Sequence, residues 1–466
     1  MIEFILNNET IRTELSPGMT LLDFVRYEAN LRGTKIGCRE GDCGACTVLL
    51  GKLNDQRIEY SSATSCLTPL ANVHGMHVVS IEGLNTEGLN VVQQAFVDSS
   101  GTQCGFCTPG FVTSLCAYAL NCEKANVSEA VGSMDGNICR CTGYKSIERA
   151  AALVTEKLQG KDQNQSLNWL TNHNFIPSYF EDIPEKLSQL PASLVKKGHT
   201  AIGGGTDLFV HHQDELQESS LNFLFRKKEL FGIEFSETEC IVNASTTATE
   251  FFENSRLVSI FPGWHSVMKL VSSTPIRNIG TVAGNLANAS PIGDLTIILL
   301  GLNAKVVLSV NDFPSRTVKL RDLYLGYKKL NKKESEIISQ IKFDLPEKDA
   351  LFHFEKVCKR KYLDIASVNT AMQIRLKDEK IIIEIHCSIG GVGPIPMYLK
   401  KTAEFMKGKK LSPALIKESV EILQAEISPI SDARGSADYK RLLARQLYFS
   451  HFHTMFPDMI KLEDLL

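Results

Sequence analysis

The chain has 466 residues, 43% hydrophobic and 22% charged, which is the composition of an ordinary globular protein of roughly two to four domains. Its net charge of -3, with both signs mixed along the chain, leaves no electrostatic footprint for nucleic acid. The longest apolar runs, residues 296–302 and 381–385, are too short to cross a bilayer, and Met1-Ile2-Glu3-Phe4 lacks the basic start of an export signal; a cytoplasmic location without a membrane partner is the expectation.

The N-terminal pattern predicts a hairpin, with strands over residues 2–6 and 10–15 joined across Asn7-Asn8-Glu9, and then an amphipathic helix over residues 20–31 with Leu21, Leu22, Val25 and Leu31 on its apolar face. The first chemical signal follows. Cys38, Cys43 and Cys46 have the spacing C-x4-C-x2-C, with Cys66 as a distant fourth, which is the plant-type 2Fe-2S pattern. Gly37, Gly41 and Gly44 suit a loop that turns sharply around a cluster and aims N–H groups at its sulfurs. Zinc usually takes two close ligand pairs, so three thiolates within nine residues argue against it.

A second group, Cys104-Gly105-Phe106-Cys107 and Cys139-Arg140-Cys141, completes eight of the 13 cysteines. Pro109 suits a helix start, and helices are predicted over residues 110–120 and 128–134. Two helices that double the chain back bring the C-x2-C and C-x-C pairs together, so that four thiolates can surround a second 2Fe-2S cluster. A helix over residues 146–158 runs into the polar stretch 160–166, which reads as a linker.

Gln103-Cys104-Gly105-Phe106-Cys107-Thr108-Pro109-Gly110 and Asn137-Ile138-Cys139-Arg140-Cys141-Thr142-Gly143-Tyr144 resemble the paired motifs of the iron–sulfur part of the xanthine oxidase family of molybdenum hydroxylases. The resemblance implies a β-grasp ferredoxin-like domain over residues 1–85 and a four-helix 2Fe-2S domain over residues 86–160. It also implies that Gln103 and Cys141 approach a molybdopterin held by a partner subunit.

After a linker at residues 161–175 the pattern becomes α+β, beginning with a helix over residues 187–195 and a strand over residues 200–202. That strand ends in Gly203-Gly204-Gly205-Thr206-Asp207, where backbone N–H groups can approach a pyrophosphate, although a plain tight turn reads as well. Further on, Ile276-Arg277-Asn278-Ile279-Gly280-Thr281-Val282-Ala283-Gly284-Asn285 and Ser290-Pro291-Ile292-Gly293-Asp294 put small and amide-bearing residues where a structural strand would have core-filling ones.

Together these segments resemble the FAD-binding domain of the same family, here residues 176–346, followed by a C-terminal α/β flavoprotein subdomain over residues 347–466. The whole is then a multidomain α+β chain. By this resemblance the FAD contacts are Ile202, Gly203, Gly204, Gly205, Thr206, Asp207, Thr281, Gly284, Asn285, Asp294 and Ile337, with Lys356 reaching the flavin ring. Val271 stands where relatives often carry an aromatic residue. Helices are predicted over residues 412–424 and 437–449. Cys116, Cys122, Cys240, Cys358 and Cys387 lack partners at ligand spacing and are expected to be buried free thiols; His77 forms no metal pattern and is expected to be structural or exposed, and Trp264 to be a packing residue.

The chain ends at Leu466 after the flavoprotein part, so the resemblance implies a separate molybdopterin-containing large subunit in a heterotetramer of two small and two large chains. Electrons from the oxidation of hypoxanthine and xanthine to urate would pass through the two clusters to FAD and then to NAD+. No residue of this chain need act on the substrate. Oxidation of aldehydes or N-heterocycles by a related complex, and a stand-alone NADH-linked reductase, are the alternatives.

Overall fold

A computed structural model describes residues 1–54, 57–164, 166–191, 198–310, 313–360 and 362–465. The chain divides into two compact units, one of residues 1–225 with 273–280, the other of residues 226–272 with 281–466.

The first unit opens with the predicted hairpin, β1 (Ile2–Leu6) and β2 (Glu9–Thr13), and continues through β3 (Thr47–Asn54), β4 (Arg57–Thr64) and β5 (His77–Val79). The five strands form a mixed sheet in the order β2-β1-β5-β3-β4, with β1 and β5 parallel. The helix expected over residues 20–31 is a short turn, Leu21–Asp23, that widens into π-helix at Phe24–Glu28. Phe24, Val25 and Tyr27 are poor helix formers, and Asn30 leaves the helical region with φ of 56°. Leu21, Leu22, Phe24 and Val25 are all buried nonetheless.

His77 is fully buried, and its ring bridges Tyr60 Oη (2.8 Å from Nδ1) and the Asn7 carbonyl (2.8 Å from Nε2). Because a carbonyl only accepts, Nε2 carries the proton and Nδ1 accepts from the phenol. Burial drives its pKa down to about 3, with the Lys186 charge acting in the same direction. The folded state thus favours the neutral ring. The resulting stability is complete above the unfolded pKa near 6.5 and is lost as pH falls from there toward 3. Between pH 6.5 and 5, wild type should lose about 2 kcal/mol more than His77→Gln, measured as the difference in urea unfolding free energies at the two pH values.

Helices α1 (Val91–Asp98), α2 (Thr108–Asn121), α3 (Val127–Gly132) and α4 (Lys145–Lys157) form the expected helical domain around Phe96, Phe111, Leu115, Ala150 and Val154. Asn90 and Gln93 make a capping box on α1. Across residues 161–175, read from the sequence as a linker, the chain forms the helix Ser166–Asn172. There Lys161 Nζ donates to the carbonyls of Ala119, Leu120 and Cys122 at 2.9, 3.0 and 3.0 Å, closing the C-terminal end of α2 with a cation. A helix occupies Ile183–Ser188, and residues 192–195 of the helix expected over 187–195 lie outside the described residues. The strand Thr200–Ile202 forms as predicted and pairs in parallel with Leu221–Phe223. Ile202, Phe209, Leu216, Leu221, Phe223 and Ile279 share one core with Phe4 of the ferredoxin-like sheet and with Leu67 and Leu70 of the turns between β4 and β5.

The second unit holds two antiparallel sheets. One runs in the order Phe313–Lys319, Lys305–Val310, Ile337–Asp344, Glu239–Asn243, Ile233–Phe235. The other joins Leu351–Val357, Val368–Lys377, Ile381–Gly390 and Met397–Tyr398. Helix Asp294–Gly301 packs on the second sheet, as does the long helix Ala437–Met455, six residues longer than its predicted span; Pro413–Glu426 is the other predicted helix. Trp264 is buried among Phe251, Phe252, Phe261 and Phe352, a packing role as expected. Cys116, Cys122, Cys240 and Cys387 are buried, whereas Cys358 is only half-buried, because its strand ends one residue earlier; it donates to the Arg360 carbonyl at 2.7 Å. Among the described residues, no helix is long and apolar enough to cross a membrane.

Candidate redox site

The first four cysteines meet at one end of the ferredoxin-like sheet as two pairs. Cys38 shares a side-chain hydrogen bond with Cys43, and Cys46 shares one with Cys66. Cys46 and Cys66 are buried, Cys38 and Cys43 half-buried. Hydrogen bonding from Cys43 draws the Cys38 thiol down to about 5 despite burial, with backbone N–H groups of the loop assisting, so that one thiol of the pair is a thiolate at neutral pH. The loop glycines divide their work. Gly41 and Gly44 take φ of 79° and 67°, as predicted, but Gly37 is required by space: a Cβ there would lie 2.5 Å from Cys43 Sγ.

The second four also meet in pairs. Cys104 Sγ lies 3.6 Å from Cys141 Sγ, and Cys107 shares a side-chain hydrogen bond with Cys139. Cys107 caps the N-terminus of α2, where the helix dipole favours a thiolate, although burial and the neighbouring Cys139 push the free thiol up to about 12. Cys139 Sγ accepts from the N–H groups of Cys141 and Thr142 at 3.5 Å each and lies 3.2 Å from Thr142 Oγ1. Tyr144 Oη accepts from the Cys139 N–H at 3.1 Å. Gln103, Cys104 and Cys141 are exposed, and Phe106 and Tyr144 beside them are 48% and 40% exposed.

Among the described residues, no three His, Cys, Asp or Glu side chains converge on a point that would suit a single metal ion. Two pairs of thiols per group are instead the donor set of a binuclear cluster, in which each iron takes two cysteine sulfurs. The residues therefore fit two 2Fe-2S clusters.

The two cysteine loops are bonded to each other. The Ile138 N–H donates to the Cys43 carbonyl at 3.0 Å, and Asn137 Nδ2 donates to the Gly44 carbonyl at 3.0 Å. Ser114 Oγ in turn donates to Asn137 Oδ1 at 2.7 Å. The approach is so close that a Cβ on Gly110 would lie 2.2 Å from the Gly44 carbonyl oxygen. Asn137→Ala leaves the Ser114 hydroxyl and the Gly44 carbonyl buried without this partner. A loss of about 1–3 kcal/mol is expected in urea unfolding followed by visible absorbance.

The segment expected to hold a pyrophosphate turns as the sequence predicts. In the first unit, the Gly203 carbonyl accepts from Asn72 Nδ2 at 2.9 Å, Gly205 takes φ of 87°, and a Cβ on Gly204 would fall 1.8 Å from the Ile279 carbonyl oxygen. Thr206 lies beside Gly280, and Asp207 keeps 41% of its side chain exposed. Arg277, 3% exposed, is held by Asp135 at 3.0 Å and by Thr274 at 2.7 Å, and Asn278 Nδ2 donates to the Ser62 carbonyl at 2.8 Å. Arg277 and Asn278 are thereby fixed against both iron–sulfur domains.

The remaining expected contacts belong to the second unit. Thr281 caps helix Val282–Asn288 through the Gly284 N–H at 3.1 Å, and Asn285 Oδ1 accepts from Thr296 at 3.2 Å. Lys356, with 1% of its side chain exposed, donates to Asp294 Oδ2 and to the Leu270 carbonyl, both at 2.7 Å. Asn369 completes this group by donating to Asp294 Oδ1 at 2.6 Å, while its own buried Oδ1 has no partner among the described residues. Ile337 opens a strand against which helix Val282–Asn288 packs, and Val271 is buried. Within the second unit, the helix N-terminus at Thr281 and the orphaned buried amide oxygen of Asn369 are groups that a polar ligand such as FAD can satisfy. Asn369 was missed in the sequence because a lone Asn in a strand carries no motif.

Four family descriptions match the chain in order. They are a 2Fe-2S iron–sulfur cluster binding domain (residues 4–71), a 2Fe-2S binding domain (80–152), an FAD binding domain in molybdopterin dehydrogenase (175–346) and a CO dehydrogenase flavoprotein C-terminal domain (353–455). Similar curated proteins include a xanthine dehydrogenase of Emericella nidulans, 27% identical over 97% of this chain and 38% of that protein. A xanthine dehydrogenase/oxidase of Rattus norvegicus is 26% identical over 100% of this chain and 40% of that protein. The chain thus spans about two fifths of the length of these relatives. Among solved structures, a reconstituted CO dehydrogenase from Oligotropha carboxidovorans superimposes with a TM-score of 0.50 at 23% identity, covering 53% of this chain and 86% of that one; at that identity the likeness is one of fold.

Proposed function

We propose, from the premise that this chain belongs through its iron–sulfur and flavin domains to the molybdenum hydroxylase family, that it is the electron-transfer subunit of a xanthine-oxidising complex. The observation that carries the proposal is the hydrogen bonding between the two cysteine loops, which puts both quartets of thiols in one rigid block.

When bound, the clusters supply one-electron steps and the flavin gathers electrons in pairs for NAD+. The chain's own residues do the holding. Cys104, Cys107, Cys139 and Cys141 bind one cluster at a surface where Gln103 and Cys141 are accessible to a molybdopterin-bearing partner, and Cys38, Cys43, Cys46 and Cys66 bind the other behind it. The bond from the Ile138 N–H to the Cys43 carbonyl joins the two ligand loops without an intervening solvent gap. FAD contacts are assigned to Ile202–Asp207, Thr281, Gly284, Asn285, Asp294 and Ile337, and Asp294 with the Leu270 carbonyl orients the Lys356 ammonium for the flavin ring. No side chain of this chain handles the purine.

The complex purified from its native cells tests this. Two distinct 2Fe-2S EPR signals, one FAD per chain, molybdenum on a co-purifying large subunit in a two-plus-two assembly, and xanthine-dependent NADH formation are expected. A chain that purifies alone and reduces dyes from NADH overturns the proposal. Activity only on aldehydes or N-heterocycles overturns the purine assignment and leaves the wiring intact.

A further inference from the structure

Arg39 lies between the first two cysteines and takes φ of 58°, a left-handed backbone that a non-glycine residue rarely adopts. The turn has a use. It carries the Glu40 N–H to Cys38 Sγ at 3.3 Å, next to the Cys38 N–H that donates to Cys43 Sγ at 3.4 Å. The Arg39 side chain reaches back to Asp23 in a two-pronged ion pair, Nη1 to Oδ2 at 3.0 Å and Nη2 to Oδ1 at 2.6 Å. Asp23 is itself fixed, since Thr20 Oγ1 donates to its Oδ2 at 2.7 Å and Gln213 Nε2 does so at 3.2 Å. With side-chain exposures of 32% and 16%, the pair is a clamp rather than a mobile surface contact.

We propose that the Asp23–Arg39 clamp is a positioning element that sets the reduction potential of the first cluster, by holding residue 39 in the turn that points the Glu40 N–H at Cys38 Sγ. Hydrogen bonds to cluster sulfurs stabilise the extra negative charge of the reduced state and raise the potential. The inference rests on the reading that Cys38, Cys43, Cys46 and Cys66 hold a 2Fe-2S cluster. Neither Asp23 nor Arg39 is a ligand, so both can be changed without removing a sulfur.

The test is an anaerobic redox titration of the full chain as purified, followed by EPR, with Asp23→Asn, Arg39→Ala and Arg39→Gly. The clamp predicts a more negative first-cluster midpoint in Asp23→Asn and in Arg39→Ala, with the second-cluster midpoint unmoved. Arg39→Gly, which keeps φ positive at no steric cost, should stay closer to wild type than Arg39→Ala. Simple charge effects predict otherwise: loss of the Asp23 anion would ease reduction and move the midpoint up, and the two Arg39 variants would shift equally. An upward or absent shift in Asp23→Asn, or equal shifts in the Arg39 pair, overturns the proposal. If Asp23→Asn fails to retain its cluster, the Arg39 pair decides alone. Absence of the signal from wild type would overturn the cluster reading instead, so the two failures are told apart.

Discussion

Cys66→Ala in the complex proposed above is expected to erase one of two 2Fe-2S EPR signals and to lower substrate-driven flavin reduction more than about 100-fold, beyond the effect of losing an outer-shell partner. Cys66 is buried, 1% exposed, and pairs only with Cys46 in its half of the quartet. Of the unassigned thiols in the same unit, Cys116 and Cys122 are buried in or beside α2 within the core of the helical domain. Because the two cysteine loops are joined through Cys43 and Ile138, the second signal should survive with altered relaxation rather than vanish. Equal loss of both signals would mean that the quartets do not form separate centres.

Lys356→Met is expected to destabilise the protein by about 3–5 kcal/mol and to release flavin. The substitution removes the cation that faces Asp294 in a nearly dry site, leaving the carboxylate with the single Asn369 amide bond and its own helix N-terminus. Asp294→Asn alone strands the ammonium in the same way. In the double variant neither charge remains, so most of the lost stability should return, as it does when a buried pair is replaced as a whole. Flavin content should not return with it. Denaturant unfolding and the flavin-to-protein absorbance ratio, measured on all three variants, separate a cofactor role from a packing role; recovery of both in the double variant would sink the cofactor role.

Local chemistry was legible in the sequence. C-x4-C-x2-C, C-x2-C and C-x-C announce their sulfurs because the cysteines of each motif lie within a few residues, and the strand that ends in Gly203-Gly204-Gly205 follows from residues that are neighbours in the chain. Partners set far apart were not legible. Lys356 and Asp294 were each expected at the flavin, yet nothing in the sequence says that residues 62 apart form an ion pair. Asn137 looked like motif decoration, and its bond to Gly44 across 93 residues emerges only once α2 has folded back. Lys161 lay in a polar stretch without periodicity, and three carbonyls at a helix end turned it into a cap. Residues 20–31 kept Leu21, Leu22 and Val25 buried, with Leu31 only partly so, but not the predicted helix, because apolar spacing reports which side chains go inside and is blind to a widened turn.

The first unit borrows residues 273–280, and with them Ile279 in its core, from beyond an excursion of the chain. On the ribosome this imposes a wait. Residues 226–280 emerge in about 3–10 s at ordinary synthesis rates, during which a nascent chain already carrying all eight cluster cysteines lacks the segment that bears Arg277, Asn278 and Ile279. A gene truncated at residue 225 would therefore yield the full set of ligands in a unit that still lacks part of its core.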